Sequence, residues 1–539
     1  MGDTDMKAPL LSTCLLVALA SLAVASAQAA DQESCASLAK QKLDKVTIAS
    51  AVFMDDPQDF TLPQTPGMFG TPAGLKMTAP FCRVVGFVEP LPNSHIGFEV
   101  WLPPAKQWNN RYFGVGNPAF EGAIKYQGLK GAVEKGYATA STDTGHQDPG
   151  HKWAMGQPER LTDWVHRAVH ETTVAAKSLI KAFYGKPQKY AYWDNCHNGG
   201  RQGLTEAQLY PEDFDGIVAG DPAYYLTHLQ AGSEYLSWLN LKNGTTAASY
   251  IPPAKYPALH RAVLDACDAK DGVQDGAIED PTRCHFDPIS IQCKDGDQAS
   301  CLTPPQVETA RRIYAGAKFA DGTQIYSGFE PGSELLWEAM IKGPEPLFIN
   351  NDFFKFIAFE DPNWDFRTFD VDADTRKIDK RLGPVVNHTQ TDLNAFKKKG
   401  GKLIIYQSWN ETWVPPRTIT TYYDGVVKTM GGENKTKDFA RLFVVPDYGM
   451  CPAMFPGAFD ALGAVQKWVE EGVAPDQIKA TYGTQGRQFR ERAGMQDTPQ
   501  SKSPVLKTRP VCPYPQVAIY KGSGDTNDAA NFRCGAPTW

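Results

Sequence analysis

The stretch with the clearest chemical content is Tyr190-Ala191-Tyr192-Trp193-Asp194-Asn195-Cys196-His197-Asn198-Gly199-Gly200-Arg201-Gln202-Gly203. An extended aromatic run turns through small residues and enters a helix predicted from Gln202 to Tyr210. Strand, tight turn and helix in that order form a nucleophile elbow, whose apex residue points into the site. Here the apex is His197, and no serine stands there. An imidazole is a candidate general base because its ordinary pKa lies near neutrality, and a helix start favours the neutral ring. It can take a proton from carbon, from a phenol or from water. Direct nucleophilic attack by His197 is the weaker alternative, since an acyl-imidazole would need its own activation for hydrolysis.

The elbow belongs to the α/β-hydrolase type of sheet, in which the catalytic histidine follows both nucleophile and acid in the chain. The histidines are His95, His146, His151, His166, His170, His197, His228, His260, His285 and His388, and none lies later. Ordinary serine-esterase chemistry needs that late base, so it is expected to be absent or very weak.

A second cluster is acidic: Asp268-Ala269-Lys270-Asp271-Gly272-Val273-Gln274-Asp275-Gly276-Ala277-Ile278-Glu279-Asp280. Carboxylates crowded into one glycine-bearing loop repel unless something neutralises them. Oxygen-only ligands suit calcium. The candidate ligands are the side chains of Asp268, Asp271 and Asp275 and the carbonyls of Val273 and Ala277. The expected role is structural, with no part in catalysis and no organic cofactor.

Positioning these residues requires a sheet. Strand-like patterns fall at 46–54, 86–102 with a turn at 90–93, 108–118, 137–143, 189–193, 214–220, 402–406 and 441–445. Helical patterns fall at 161–183, 416–427 and 459–470. Alternation of the two implies a mostly parallel sheet covered by helices on both faces. From 223 to 387 the alternation stops, and the chain becomes dense in proline, aspartate and tryptophan. We read 30–222 with 388–539 as the core domain and 223–387 as an inserted lid that carries the acidic loop.

With 539 residues, 42% of them hydrophobic and 21% charged, the chain is long enough for a large core plus an insertion. A net charge of -7, with no basic tail, gives no reason to expect a nucleic-acid partner. Residues 1–29 have the positive start, short apolar run and small-x-small ending of a signal peptide, which predicts a secreted or periplasmic protein. No later stretch is long and apolar enough for a membrane span. One of the eleven cysteines, Cys14, falls in the leader, and an even set in an exported chain argues for disulfides. Cys267/Cys284, Cys293/Cys301 and Cys512/Cys534 are close enough in sequence for local bridges, but spacing alone leaves the pairing open. Nothing in the sequence fixes an oligomeric state.

The chain resembles the tannase and feruloyl esterase family, which includes the hydrolase of mono(2-hydroxyethyl) terephthalate. The resemblance covers nearly the whole mature chain. It is carried by 108–122, 141–146, 196–203, 210–216, the acidic loop, 403–415, 459–476 and 512–534. It implies an α/β-hydrolase core, a large lid, a lid calcium and the bridges Cys35–Cys82, Cys196–Cys451, Cys267–Cys284, Cys293–Cys301 and Cys512–Cys534. The family pattern is a cysteine-serine elbow, an aspartate after a late strand, and a histidine just before the cysteine that bridges back. On this chain those positions hold His197, Glu411 and Met450, so both cysteines stay and all three triad members differ.

The resemblance therefore implies that His197 and Glu411 share one cavity, with Met450 as an apolar wall. A carboxylate beside the ring orients it and favours its charged form. Trp413 and Tyr448 are candidate contacts for an aromatic substrate, because both sit in loops after strands. His146 either reaches the cavity or is a structural histidine. Arg201 either binds a substrate carboxylate or pairs with a structural acid. Asn117 offers a polar contact where the family forms its oxyanion hole, while Pro118 lacks a donor there. The expectation is an enzyme acting on a phenolic or other aromatic small molecule by His197–Glu411 acid–base chemistry, as a lyase, isomerase or atypical hydrolase. The alternatives are a tannase-type ester hydrolase working by an unusual route and an inactive small-molecule binding protein.

Overall fold

The computed structural model describes residues 28–56, 60–65, 70–241, 248–341, 343, 346–446, 449–451, 459–482 and 507–539. The body of the expected signal peptide and Tyr448 lie outside the described residues.

Strands β1 (Val46–Met54), β2 (Phe81–Val88) and β3 (Ile96–Leu102) form an antiparallel edge. Beyond them lie β4 (Arg111–Val115), β5 (Ala138–Thr142), β6 (Tyr190–Cys196), β7 (Gly216–Gly220), β8 (Lys402–Ser408) and β9 (Ala440–Val445). In one nine-stranded sheet the order is β1-β2-β3-β5-β4-β6-β7-β8-β9, with parallel pairing from β5 onward. Parallel neighbours need long crossovers, here the helices α1 (Tyr126–Val133), α2 (Ala168–Tyr184), α3 (Asn198–Leu209) and α8 (Pro416–Thr429), while α9 (Ala461–Glu471) follows the last strand.

Alternation along each strand sends side chains to opposite faces. Trp193, Ile217, Leu403 and Ile405 join one apolar cluster with residues of α2, α3 and α8. Their neighbours Tyr192, Val218, Ile404 and Tyr406 join another cluster with residues of α9. Each fully buried large side chain contributes about 1.5–3 kcal/mol, so the central strands are held from both sides.

Between β7 and β8 the described residues add no strand to this sheet. It forms α4 (Leu226–Leu241), α5 (Tyr256–Cys267), α6 (Pro304–Ala315) and α7 (Val371–Val386), which pack on a separate apolar cluster containing Phe329, Trp337 and Phe353. Phe120, Trp153 and Trp164 reach into that cluster from the loops around the sheet.

Two helices differ from expectation: the one expected from Gln202 to Tyr210 already begins at Asn198 and ends at Leu209. The helix predicted at 161–183 is interrupted by a π-helical turn at Asp163–Arg167, between Pro158–Thr162 and α2. Asp163 is fully buried there, held by the Ser94 hydroxyl and the Arg167 guanidinium. That buried ion pair ties the wide turn down, a constraint the helical periodicity did not carry. The five disulfides implied by the resemblance are all formed.

Candidate active site

β6 ends at Cys196 and α3 begins at Asn198, so His197 alone makes the turn, with φ 54° and ψ -115°. A non-glycine residue in that region costs on the order of 1–3 kcal/mol and needs outside support. Support comes from the His197 N–H, which donates to the Gly220 carbonyl at 2.9 Å. The His197 carbonyl accepts from Arg201 at 2.9 Å and from Ala223 at 3.0 Å. Glycine is required at 200, where a Cβ would stand 2.2 Å from the Gly220 oxygen. The Cys196–Cys451 bridge then ties the elbow to the segment after β9.

Glu411 lies three residues past the end of β8 and is 1% exposed. Its Oε2 is 3.1 Å from His197 Nε2, and its Oε1 accepts the Trp413 N–H at 2.6 Å. A carboxylate can only accept, so Nε2 carries the proton and Nδ1 holds the free lone pair. Nδ1 makes no hydrogen bond among the described residues. Burial pushes the ring toward the neutral form, but the charge and hydrogen bond of Glu411, with Asp221 behind it, raise its pKa above the usual 6.5.

Asp221 escaped the sequence reading. It follows β7, is fully buried, and accepts the N–H groups of Ser408 and Cys451 at 2.7 Å each. Burial and the nearby Glu411 charge push its carboxyl up to about 7. It braces the ends of β7 and β8 against the bridge. The only local signal was Gly220-Asp221-Pro222 at a strand end.

Trp413 is brought to the site, its ring centre 6.5 Å from that of His197, and it packs on the apolar cluster of the 223–387 segment. Met450 stands half-buried beside Cys451, which the bridge places next to the apex. Trp193, Tyr406 and Trp409 are buried core residues. His146 stacks on Trp153 at 3.8 Å and bonds through Nδ1 to the Asp148 carbonyl at 3.0 Å, and burial pushes it down to about 3. It is placed as a neutral, packed ring.

Asn117 is 1% exposed, and its amide group donates to the carbonyls of Ala123 and Thr142 at 3.1 and 2.9 Å. Its own N–H donates to Gln202 Oε1 at 3.0 Å, and the Gly116 N–H donates to Asn195 Oδ1 at 2.8 Å. Pro118 has no N–H, so positions 116–118 offer no uncommitted backbone donor to a ligand. Asn195 and Gln202 were missed by sequence reasoning, although both flank the elbow.

In the acidic loop, Asp268 accepts from Asp275 and Gly276, Asp271 from Val273 and Glu279, and Asp275 from Ala277. Burial, opposed by those backbone bonds and reinforced by neighbouring carboxylates, pushes Asp271 up to about 7; burial and Asp271 push Glu279 up to about 8. Lys507 and Arg509 meet the outer oxygen of Asp275 and supply part of the missing positive charge. The oxygen-only donor set is of the kind calcium takes, but among the described residues the three donor atoms that come within 4.8 Å of one another lie elsewhere, at Cys196, His197 and Cys451. Both sulfurs of that group are spent in the disulfide.

The parallel sheet, the strained apex at the carboxyl end of β6 and the acid after β8 define an α/β-hydrolase scaffold of the esterase type. The chain belongs to the tannase and feruloyl esterase family, whose model matches residues 82–535. It is 34% identical to an uncharacterised esterase of Xanthomonas campestris pv. campestris, over 96% of this chain and 94% of that one. It is 31% identical to a probable feruloyl esterase B-2 of Neosartorya fischeri, over 97% of this chain and 99% of that one. The crystal structure of feruloyl esterase B from Aspergillus oryzae matches with a TM-score of 0.83 at 28% identity, over 94% of this chain and 100% of that one. Tannin acyl hydrolase from Aspergillus niger matches with a TM-score of 0.73 at 20% identity, over 93% of this chain and 95% of that one, and bears on the fold alone. Among the described residues no helix is long and apolar enough to cross a membrane.

Proposed function

We propose that this protein is an exported enzyme that hydrolyses an ester of an aromatic acid or phenol by general-base catalysis, with His197 as base and Glu411 as its orienting acid. The observation that carries the reading is the 3.1 Å contact between His197 Nε2 and a buried Glu411 carboxylate. Nδ1 removes a proton from water as the water oxygen attacks the ester carbonyl. The imidazolium formed is stabilised by Glu411, and it returns the proton to the departing alkoxide or phenoxide. Negative charge on the carbonyl oxygen faces the first N–H groups of α3, Asn198 and Gly199, which a helix leaves unpaired. Trp413 supplies an aromatic wall at the site.

On the resemblance, the serine, aspartate and histidine positions are read as His197, Glu411 and Met450, a reading that leaves no serine at the apex for the usual acyl-enzyme route. Five disulfides suit an oxidising compartment and support the export reading. The helical 223–387 segment is read as the lid over the site, since Trp413 packs on its cluster. A calcium held by Asp268, Asp271 and Asp275 and by the carbonyls of Val273 and Ala277 would stiffen that segment.

The same geometry serves a second reading, proton abstraction in an elimination or isomerisation, since it needs only a base and His197 Nδ1 makes no hydrogen bond among the described residues. A panel of hydroxycinnamate, gallate and aryl esters, assayed for both free acid and rearranged product, separates the two. Free acid lost in His197→Ala supports hydrolysis, and product without acid supports abstraction. Conversion unchanged in both His197→Ala and Glu411→Gln would sink both readings. Tight binding with no conversion would point to a binding protein.

A further inference from the structure

Arg201 sits in the first turn of α3 and is only 4% exposed. Its Nε donates to Asn198 Oδ1 and its Nη1 to the Val165 carbonyl, both at 2.8 Å. Its guanidinium lies 4.6 Å from the Trp164 ring centre. Nη2 is buried and has no hydrogen-bond partner among the described residues. No carboxylate forms an ion pair with Arg201 among the described residues. The two readings left open by the sequence are therefore unequal, since the structural acid is missing. Burial alone pushes the guanidinium down to about 9. An unpaired buried charge costs several kcal/mol, which ordered water relieves only in part.

Two more donors lie beside it. His166 Nδ1 is 2.7 Å from the Tyr210 hydroxyl, and His388 Nδ1 is 3.3 Å from the Thr205 hydroxyl. The two rings meet edge to face at 5.4 Å. Burial, reinforced by arginine charges that include Arg201, pushes His166 down to about 4 and His388 to about 3, so both are neutral. With the Tyr210 and Thr205 hydroxyls donating to Nδ1, each neutral ring carries its own proton on Nε2. Neither Nε2 makes a hydrogen bond among the described residues. In that tautomer the cluster is one cation with two N–H edges and, among the described residues, no carboxylate paired to it. Both rings are only half-buried, which leaves a way in.

We propose that Arg201, with the Nε2 edges of His166 and His388, holds a small monovalent anion, either a halide or the carboxylate of an aromatic acid. The site is separate from the His197–Glu411 pair and stands whatever reaction that pair performs. Through the Arg201–Asn198 bond, and the Asn198 amide that donates to the Asn117 carbonyl at 3.0 Å, the bound anion would steady the elbow and the 116–118 loop together.

The test uses the full chain. Crystals soaked in sodium bromide are expected to show an anomalous peak within about 3.5 Å of Nη2, the hydrogen-bonding limit. Crystals soaked in sodium benzoate distinguish the second source by carboxylate density at the same place. In solution, bromide is expected to raise the melting temperature of the wild type by several degrees more than that of Arg201→Met. His388→Phe keeps the arginine and removes one donor, so about tenfold more bromide is expected for the same shift. No density with either soak overturns the proposal even if Arg201→Met fails to fold. Bromide sensitivity that is equal in the wild type and Arg201→Met overturns it as well.

Discussion

His197 and Glu411, 214 residues apart in sequence, meet at 3.1 Å inside the sheet's carboxyl edge. The glutamate is fixed from its other oxygen by the Trp413 N–H, so the pair is built before any substrate arrives. Such preorganisation is what makes an imidazole a base with one defined free nitrogen.

The first prediction concerns pH. His197 has a raised pKa and works as a base only when neutral, so turnover is expected to climb with pH through a value above 6.5. Glu411→Gln removes the anion that raises it, so the acid limb is expected to move to lower pH while kcat falls by about a hundredfold. The stability that Glu411 lends His197 is fully present below pH 6.5 and is lost as pH rises through the raised value, so the variant is expected to lose most stability on the acid side. A kcat profile and melting curves taken across pH 5–9 check both signs.

Gly200→Ala tests the elbow's packing. Its Cβ would sit 2.2 Å from a backbone oxygen that cannot swing away. Overpacking of this kind costs about 1–3 kcal/mol. A lower denaturation midpoint with loss of activity is expected; an unchanged midpoint would mean that α3 does not pass so close to β7.

The positions themselves can be rebuilt. The triple variant His197→Ser, Glu411→Asp, Met450→His is expected to react with a fluorophosphonate probe, because the resemblance assigns these positions to nucleophile, acid and base in that order. His197→Ser alone is expected to stay unlabelled for want of a base. A folded but unlabelled triple variant would show that Glu411 or Met450 does not occupy the position assigned to it.

Calcium added to chelator-treated protein is expected to raise the melting temperature, by the equivalent of about 2.7 kcal/mol at a hundredfold excess over Kd. Asp271→Asn is expected to remove that response. An identical melting temperature with and without calcium would mean that Lys507 and Arg509 are enough to hold the loop.

The apex histidine was legible in the sequence because a strand, a turn through small residues and a helix are written within fourteen consecutive residues. The alternation that buries Trp193 on one face and Tyr192 on the other is equally local, and so is the acidic loop. The absence of any histidine beyond 388 is likewise a property of the chain alone. Asp221 was not legible, because the groups it holds, the N–H of Ser408 and of Cys451, are 187 and 230 residues away. Nor was the capture of the Gly116 and Asn117 N–H groups by Asn195 and Gln202, across 79 and 85 residues. Sequence spacing alone could not decide which partner Arg201 takes; the fold leaves it without an acid among the described residues. Short-range sterics and periodicity decide which elements form. Which distant group satisfies a buried charge or donor is settled only when the parallel crossovers bring the strand ends side by side.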